Sequence, residues 1–458
     1  MTRRIAIVGG GLSGTLTAVH LMRRAAADDL NIVLVNRSGG LARGVAYGTR
    51  SAAHVLNVPA GRMSAFEGDD THFLRYAQRR DPPCHGGSFV AREVYGDYLE
   101  WLLRSAQAAL AEPQRFVHLV GQVDDLDAGD TGAALHIGDA APLRVDRIVL
   151  ALGNGVPADP PLADTRFFDR SARYLRDPWR RGALDAVDLA QPVLLLGSGL
   201  TMVDVALALQ ARGQRGVLHA LSRRGLLPQA HRESHTPPAS VALPAGLLDR
   251  PAVLRHWLRL VREQCRALAT HGTDWRDTLA ALRAATPQLW ERLALPQRAQ
   301  FLRHLQAHWD VHRHRLAPSP AAGLAALRGA GALQLHAGRL LQIDEQGDAV
   351  MVGYRPRGQA HSVALQVGSV VNCTGPDTRL ARSSEPLLRG LAARGLVVPD
   401  ALGLGLEVAG DYGVVQSDGR ASTVLHYIGP FLRARYWECT AVPELRQHAQ
   451  RLAERLCA

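Results

Sequence analysis

The amino-terminal hydrophobic pattern predicts a strand, a glycine turn and a helix. Residues 4–8 are an apolar run, residues 9–14 carry four glycines, and an apolar helical pattern continues to Leu21. A second apolar run at 31–35 follows. Strand, glycine turn, helix and strand in this order are typical of the first βαβ unit of a dinucleotide-binding fold.

The same pattern starts again in the middle of the chain. Residues 192–196 predict a buried strand, Gly197-Ser198-Gly199 a turn, residues 200–211 a helix and residues 217–221 another strand. The two turns begin 188 residues apart, at Gly9 and Gly197. The repeat predicts an α/β fold with two Rossmann-like dinucleotide-binding domains, the second inserted in the first.

The remaining elements suggest how the domains divide. Apolar periodicity predicts helices over 95–110, most of 250–316 and 443–456, and strands over 147–152 and within 333–372. We expect the late strands to return to the first sheet. The predicted domains are a discontinuous FAD-binding domain (1–158 and 325–458), an NAD(P)-binding domain (159–230) and a helical insertion beside the substrate pocket (231–324).

Composition narrows the class of protein. The 458 residues are 47% hydrophobic and 21% charged, which is typical of globular proteins. No apolar run is long enough to cross a bilayer, and no secretory signal pattern opens the chain. The five cysteines form no Cys-x-x-Cys pair. We therefore expect a cytoplasmic protein without a membrane segment or a dithiol redox centre.

The net charge of +11 comes entirely from arginine, because none of the 53 basic residues is a lysine. The lack of lysine excludes Schiff-base and P-loop chemistry. The arginines are spread along the chain, so we expect them to attract anionic cofactors or an anionic small molecule and not nucleic acid.

The first turn has the pattern Gly9-x-Gly11-x-x-Gly14, with Leu12 and Ser13 between its glycines. These glycines permit a tight turn, a close approach of a pyrophosphate and close helix packing, respectively. Asn36 stands where Asp or Glu usually binds the ribose hydroxyls. Its neighbour Arg37 leaves open whether this site takes NADP.

The second turn, with Ser198 and Thr201, has Met202 in place of a third glycine. Ser222-Arg223-Arg224 after the next strand offers a hydroxyl and two guanidinium groups to an adenosine 2′-phosphate. NADPH is therefore expected here and NADH is left open. The alternative interpretation is a solvated basic turn.

Two other sets of residues carry weaker signals. Cys373 lies at an apolar strand end, where a buried and inert thiol is expected. His304, His308 and His312 share a helical face, but they lack a metal-ligand spacing that includes a carboxylate. We expect no metal site.

Several ordered motifs carry a resemblance that spans essentially the whole chain. They are Gly44-Val45-Ala46-Tyr47-Gly48, residues 54–60, Met63-Ser64, Phe89-x-x-Arg92, Tyr95-Gly96-x-Tyr98, residues 197–204, residues 222–225, residues 309–315, Gly429-Pro430 and residues 437–443. The chain resembles bacterial FAD/NAD(P)-binding flavoproteins related to flavin monooxygenases and N-hydroxylases.

The resemblance implies where FAD binds. It places FAD at the first turn, the stretch 54–64 along the flavin, and the start of the last helix near the polar edge of the flavin. Strand ends with a small residue and a glycine, as at Gly153 and Gly375, run beside FAD or bridge the domains in such proteins. The further FAD residues implied in this way are Tyr47, His54, Asn57, Met63, Gly153, Gly375, Thr440, Ala441 and Val442.

The resemblance also implies an activity. It suggests an FAD-dependent monooxygenase that uses NAD(P)H and O₂ and hydroxylates a small anionic or nitrogen-containing substrate through a hydroperoxyflavin, with urate as the first candidate. The catalytic residues stay unknown, and His54, His231 and Arg232 are candidates for the substrate side. A flavin reductase without oxygen insertion and a non-enzymatic nucleotide sensor remain as alternatives.

Overall fold

The computed structural model describes residues 2–25, 29–232 and 239–458. Residues 233–238 of the predicted insertion therefore lie outside the described residues. The strands are β1 (Arg3–Val8), β2 (Leu30–Asn36), β3 (Phe116–Val120), β4 (Val123–Ala128), β5 (Ala133–Ile137), β6 (Leu143–Val145), β7 (Arg147–Leu150), β8 (Tyr174–Leu175), β9 (Val193–Leu196), β10 (Leu218–Ser222), β11 (Leu333–Gln346), β12 (Ala349–Pro356), β13 (Val363–Val367), β14 (Ser369–Asn372), β15 (Gly413–Val415) and β16 (Ala421–Tyr427).

The α-helices alternate with these strands in the first half of the chain and cluster between β10 and β11. They are α1 (Leu12–Arg24), α2 (Gly44–Tyr47), α3 (His72–Gln78), α4 (Arg92–Ala108), α5 (Arg166–Arg170), α6 (Leu200–Ala211), α7 (Leu254–Ala269), α8 (Trp275–Arg292), α9 (Leu295–His304), α10 (Gln306–Arg313), α11 (Pro318–Gly329), α12 (Pro386–Ala393), α13 (Arg433–Tyr436) and α14 (Val442–Cys457). The predicted helix over 200–211 matches α6 at both ends.

The first sheet has the strand order β15-β16-β7-β1-β2-β3, and all its strands except β15 are parallel. Its central strand β1 is buried on both faces, as Ile5 and Ile7 on one face and Ala6 on the other show, which explains its unbroken apolar run. From β1 the sheet continues with β2 and β3 on one side and with β7 and β16 on the other, so the strand order reverses at β1. In such sheets the crevice at this reversal, beyond the carboxyl ends of the strands, is where ligands bind. The first glycine turn lies there.

The second sheet repeats this arrangement around β9. Its order is β13-β12-β11-β10-β9-β14-β8, with β10 and β14 parallel to β9 on either side. The α/β fold with two Rossmann-like domains, one inserted in the other, is thus confirmed. A small antiparallel sheet, β4-β5-β6, accompanies the first domain.

One prediction about the late strands is wrong. The strands within 333–372 do not return to the first sheet, since β11 pairs with β10 from Leu218↔Leu333 onward and β14 pairs with β9. Among the later strands of the described residues, β15 and β16 alone return to the first sheet. Residues 333–372 therefore belong to the second unit, although the NAD(P)-binding domain was predicted to end at residue 230 and the insertion at residue 324. Strand pairing is set by long-range packing that a local apolar run does not encode.

The helices α7–α10 pack on the carboxy-terminal part of the first domain. The rings of Trp290 and Trp437 stack with centroids 4.7 Å apart, and Trp290 Nε1 donates to the carbonyl of Ala434 at 3.0 Å. Trp309 Nε1 donates to Glu438 Oε1 at 2.8 Å. These contacts fix the insertion over the end of the first domain. No helix in the described residues is long and apolar enough to span a membrane.

Candidate functional site

The first glycine turn has the geometry of a nucleotide cradle. Gly9 has a φ of +114°, and a Cβ there would lie 2.3 Å from the carbonyl oxygen of Ala151. A Cβ on Gly14 would lie 1.9 Å from the carbonyl oxygen of Gly9. Both positions therefore require glycine for packing reasons alone, as the sequence suggested for Gly14.

Gly11 differs, because the space next to it is open. A Cβ there would approach only the Cα of Gly44, at 3.6 Å. Gly11 is also the N-cap of α1, and no side chain caps this helix end, which begins with Leu12 and Ser13. Uncapped amides and the positive end of the helix dipole are suited to a pyrophosphate. The residues present thus fit the diphosphate of a dinucleotide.

Asn36 and Arg37 lie beside this turn at the end of β2. The Asn36 amide nitrogen donates to the carbonyl of Gly40 at 2.5 Å, which leaves its oxygen as an acceptor for a ribose hydroxyl. The Arg37 guanidinium forms an ion pair with Glu385 at 3.0 Å. A carboxylate next to Arg37 disfavours a 2′-phosphate at this site.

The second turn repeats the first. Gly197 has a φ of +109°, and a Cβ there would lie 2.6 Å from the carbonyl oxygen of Cys373. Gly199 caps α6, which Thr201 enters in its first turn, without a side-chain hydrogen bond, and a Cβ on Gly199 would meet no atom within 4 Å. Met202, in the place of a third glycine, is fully buried. The second cradle is therefore open at the same position as the first.

The predicted 2′-phosphate set is only partly available. The Ser222 hydroxyl lies 2.8 Å from the Ser198 hydroxyl and accepts from the Gly225 amide at 3.0 Å. Arg224 points to the insertion, where it donates to the carbonyl of Arg303 at 3.0 Å and lies 3.1 Å from His308 Nε2. Arg223 is exposed. Of the two arginines, Arg223 is thus the one with a side chain open to a phosphate.

Each of the two strand ends with a small residue packs on one of the glycine turns. Ala151 follows β7 and packs on Gly9, and Cys373 follows β14 and packs on Gly197. The chain then turns at Gly153 and Gly375, which have φ values of +74° and +88°. Burial raises the pKa of the Cys373 thiol well above its usual range, as expected of an inert thiol.

His54 joins the two dinucleotide units. Its Nδ1 lies 2.6 Å from the Thr49 hydroxyl and its Nε2 lies 3.3 Å from the carbonyl oxygen of Asp204 in α6. Both contacts fit a neutral ring that accepts from Thr49 and donates to Asp204. Burial lowers the pKa of His54. The ring nitrogens are therefore used in the structure, which argues against His54 as a proton acceptor for substrate.

A buried ion pair strengthens the same junction. Arg92 at the start of α4 donates to Asp204 Oδ2 at 2.8 Å and to the carbonyl of Val55 at 3.1 Å. The ring of Trp179 lies against both Arg92 and His54. We call Arg92, Asp204, His54 and Trp179 the interdomain latch.

Two other expected flavin residues lie in the core of the first domain. Tyr47 packs on Tyr95 with ring centroids 4.7 Å apart, and burial raises its pKa. Met63 is 1% exposed. Both belong to the hydrophobic core of the first domain.

A cavity of about 660 Å³ opens between this loop and the insertion. One wall is formed by residues 57–62 and 85–89, and the other by residues of the insertion between His231 and Ser319. Its most unusual feature is a set of six arginines, Arg62, Arg232, Arg276, Arg283, Arg313 and Arg315. Apart from Arg232, sequence reasoning missed them, because they are spread over more than 250 residues without a shared spacing.

The cavity brings together three of the predicted residues. Asn57 lines it, and its carbonyl oxygen lies 3.0 Å from His231 Nε2. Burial and the charge of Arg315 lower the pKa of His231 to about 4, so this ring is neutral near pH 7. Arg232 is bound by Asp277 at 2.6 Å and Asp274 at 3.3 Å.

The predicted helix start after Thr440 is present. Ala441 is the N-cap of α14, which begins at Val442 and has no side-chain cap. Glu444 in its first turn accepts two hydrogen bonds from Arg283, at 2.6 and 2.8 Å. The start of α14 is therefore tied to the cavity wall.

Comparisons with known proteins agree with this geometry. Residues 6–155 match a family model described as FAD-NAD(P)-binding. No curated protein matches the chain by sequence. L-lysine 6-monooxygenase from Pseudomonas syringae is similar in structure, with 18% identity, a TM-score of 0.69 and coverage of 100% of this chain and 99% of that chain.

Two further structures cover almost the whole chain. Ornithine N-hydroxylase from Kutzneria sp. 744 has 15% identity and a TM-score of 0.66, with all of both chains covered. The cadaverine monooxygenase of Erwinia amylovora, bound to FAD, has 12% identity and a TM-score of 0.63, covering 99% of this chain and 94% of that chain. The chain has the fold of these monooxygenases. The family match over the first unit agrees with the expected cofactors, FAD and a nicotinamide dinucleotide.

Proposed function

We propose that the chain is an FAD-dependent monooxygenase that oxidises NADPH and hydroxylates a small molecule with O₂. FAD would occupy the first cradle, between Gly11, Asn36 and the start of α14, and NADPH the second, with its 2′-phosphate on Arg223. When bound, FAD would supply hydride acceptance and O₂ activation. The fold shared with monooxygenases that act on ornithine, lysine and cadaverine supports this class of reaction.

The cavity is the observation that favours hydroxylation over simple electron transfer. It has about 660 Å³, and one wall is the stretch expected along the flavin. Substrate pockets commonly have volumes of this order. A reductase that passes electrons to a carrier needs no substrate-sized cavity beside its flavin, whereas a hydroxylase must hold its substrate there.

In this reaction the residues of the chain would bind the cofactors, orient the substrate and shield it from water. Gly11 and Gly199 let two diphosphates approach the backbone. The latch holds the second unit against α4, so that the nicotinamide site keeps its position relative to the flavin stretch. The insertion lines one wall of the cavity, and its tryptophan contacts hold it on the first domain. NADPH supplies two electrons, and one oxygen atom of O₂ enters the substrate while the other leaves as water.

Three measurements on the purified FAD-loaded protein test the proposal. NADPH should bleach the flavin without oxygen, and a screen that begins with urate should find a compound that accelerates NADPH oxidation. The product should carry ¹⁸O when ¹⁸O₂ is supplied. Dye reduction without any oxygenated product would favour the reductase alternative, and a flavin that NADPH does not bleach would favour the nucleotide sensor.

A further inference from the structure

The arginine-lined cavity has an excess of positive charge. Four carboxylates lie against four of its six arginines: Asp274 and Asp277 on Arg232 and Arg276, and Glu438 and Glu444 on Arg283 and Arg313. Asp277 is the one carboxylate among the described lining residues. The two other arginines, Arg62 and Arg315, form no ion pair with a carboxylate within the described residues, although the charges of Asp70 and Glu444 act on Arg62 and that of Asp274 acts on Arg315.

Arg315 is the more informative of these two. Its Nε is buried and has no hydrogen-bond partner in the described part of the chain. Burial, together with the charges of Arg276 and Arg313, lowers its pKa to about 10, so the group stays charged near neutral pH. A half-buried guanidinium held among other guanidinium groups is costly unless an anion completes its hydrogen bonds.

Arg62 lies on the opposite wall, in the loop expected beside the flavin. Its side chain is exposed to solvent. Arg62 and Arg315 thus approach the cavity from the first domain and from the insertion, respectively. One anionic group bound by Arg62 and another bound by Arg315 would give each guanidinium a hydrogen-bond acceptor.

On the basis of the proposed function, we propose that the substrate is a small organic molecule with two anionic groups, bound by Arg62 and Arg315. Carboxylates suit these sites because a guanidinium can bind them through two parallel hydrogen bonds. The neighbouring arginines, each held by a carboxylate, shape the chamber and add no net charge. The neutral His231 adds none either.

Binding to the FAD-loaded protein, saturated with NADP⁺ and kept at constant ionic strength, tests this proposal by calorimetry. Glutarate and cadaverine have the same five-carbon chain and opposite charges, and phthalate and benzoate differ by one carboxylate. We expect glutarate or phthalate to bind at least about tenfold more tightly than benzoate, the range of a charge-assisted hydrogen bond. Cadaverine should not bind.

Arg315→Met and Arg62→Met should each weaken binding of the dianion at least about tenfold. Arg315→Met should leave the melting temperature of the ligand-free protein unchanged or raise it, because the change removes an unpaired charge. Arg104→Gln is the control, since Arg104 is an exposed residue of α4 outside the cavity and the change has the same effect on net charge.

Three results would overturn the proposal. They are cadaverine binding as tight as glutarate binding, no binding of either dianion, and dianion binding that neither cavity variant weakens. A marked loss of stability in Arg315→Met would assign Arg315 a structural role instead. Anaerobic bleaching by NADPH, measured on the same preparations, separates a failure of this proposal from a failure of the proposed function.

Discussion

Gly11 and Gly14 lie in the same turn, but changing each to alanine should affect a different property. Gly14→Ala should lower the stability of the protein, and Gly11→Ala should lower its retention of FAD. A methyl group on Gly14 would lie 1.9 Å from the backbone oxygen of Gly9, and real Cβ contacts are essentially never below 3.0 Å, so α1 must move by about 1 Å. We expect overpacking to cost about 3 kcal/mol. The gain in helix propensity, about 1 kcal/mol, does not offset this cost. Gly14→Ala should therefore destabilise the protein itself.

Gly11→Ala should fold normally and lose FAD. Its methyl group meets only Gly44 Cα at 3.6 Å, and its backbone is in the extended region with φ −81°. The change at the N-cap should cost about 1 kcal/mol or less. The same methyl group lies in the open space where the diphosphate would approach, so FAD retention should fall.

Urea unfolding of the apoproteins and the ratio of flavin to protein absorbance measure these two effects separately. Gly199→Ala is the matched control, because it places a methyl group in the open second cradle. It should keep FAD and weaken NADPH. A fully yellow Gly11→Ala protein, or a Gly14→Ala protein as stable as the original, would show that the turn does not work as described.

Three further predictions follow from the charged and titratable groups. Arg223→Ala should weaken NADPH about tenfold and leave NADH unchanged, whereas Arg224→Ala should affect both coenzymes equally; equal KM changes for Arg223→Ala would refute the assignment. Arg92→Met should cost about 3–5 kcal/mol because it leaves the buried Asp204 carboxylate unpaired, and adding Asp204→Leu should restore much of the stability in urea unfolding. Burial lowers the pKa of His20 from 6.5 to about 4. As the pH falls through this range, His20 is protonated first in the unfolded state, so the free energy of unfolding decreases. His20→Leu should reduce that decrease by up to about 3 kcal/mol, and an unchanged dependence of stability on pH would contradict the shift.

The glycine turns could be predicted from the sequence because their requirements are local. A positive φ at Gly9 and Gly197 and the contacts of both with a strand end need glycine whatever surrounds them. The partner sheet of residues 333–372 could not be predicted in this way. An apolar strand run is compatible with either sheet, and only the register with β10 and β9 decides.

The same limit applies to the site residues. His54 and Arg92 read as flavin-side motif residues, but their contacts with Asp204 cross 112 residues or more of chain. The cavity arginines come from four separate segments, so no spacing marks them among 53 arginines. The cofactors were therefore predictable from short motifs, whereas the charge of the substrate pocket required the folded chain.

The positive charge of the cavity determines whether substrates like those of the structurally similar monooxygenases are expected to bind here. Two unit charges about 6 Å apart interact by about 3 kcal/mol at an effective dielectric constant of about 20. A diamine facing these two guanidinium groups, which lack an ion-pair partner within the described residues, would meet repulsion of this size from each, and a dianion would gain a similar amount. The difference exceeds what a neutral change of shape in a pocket usually gives, about 1–3 kcal/mol. The two cradles can thus serve the same cofactors as in the amine monooxygenases while Arg62 and Arg315 select the opposite charge.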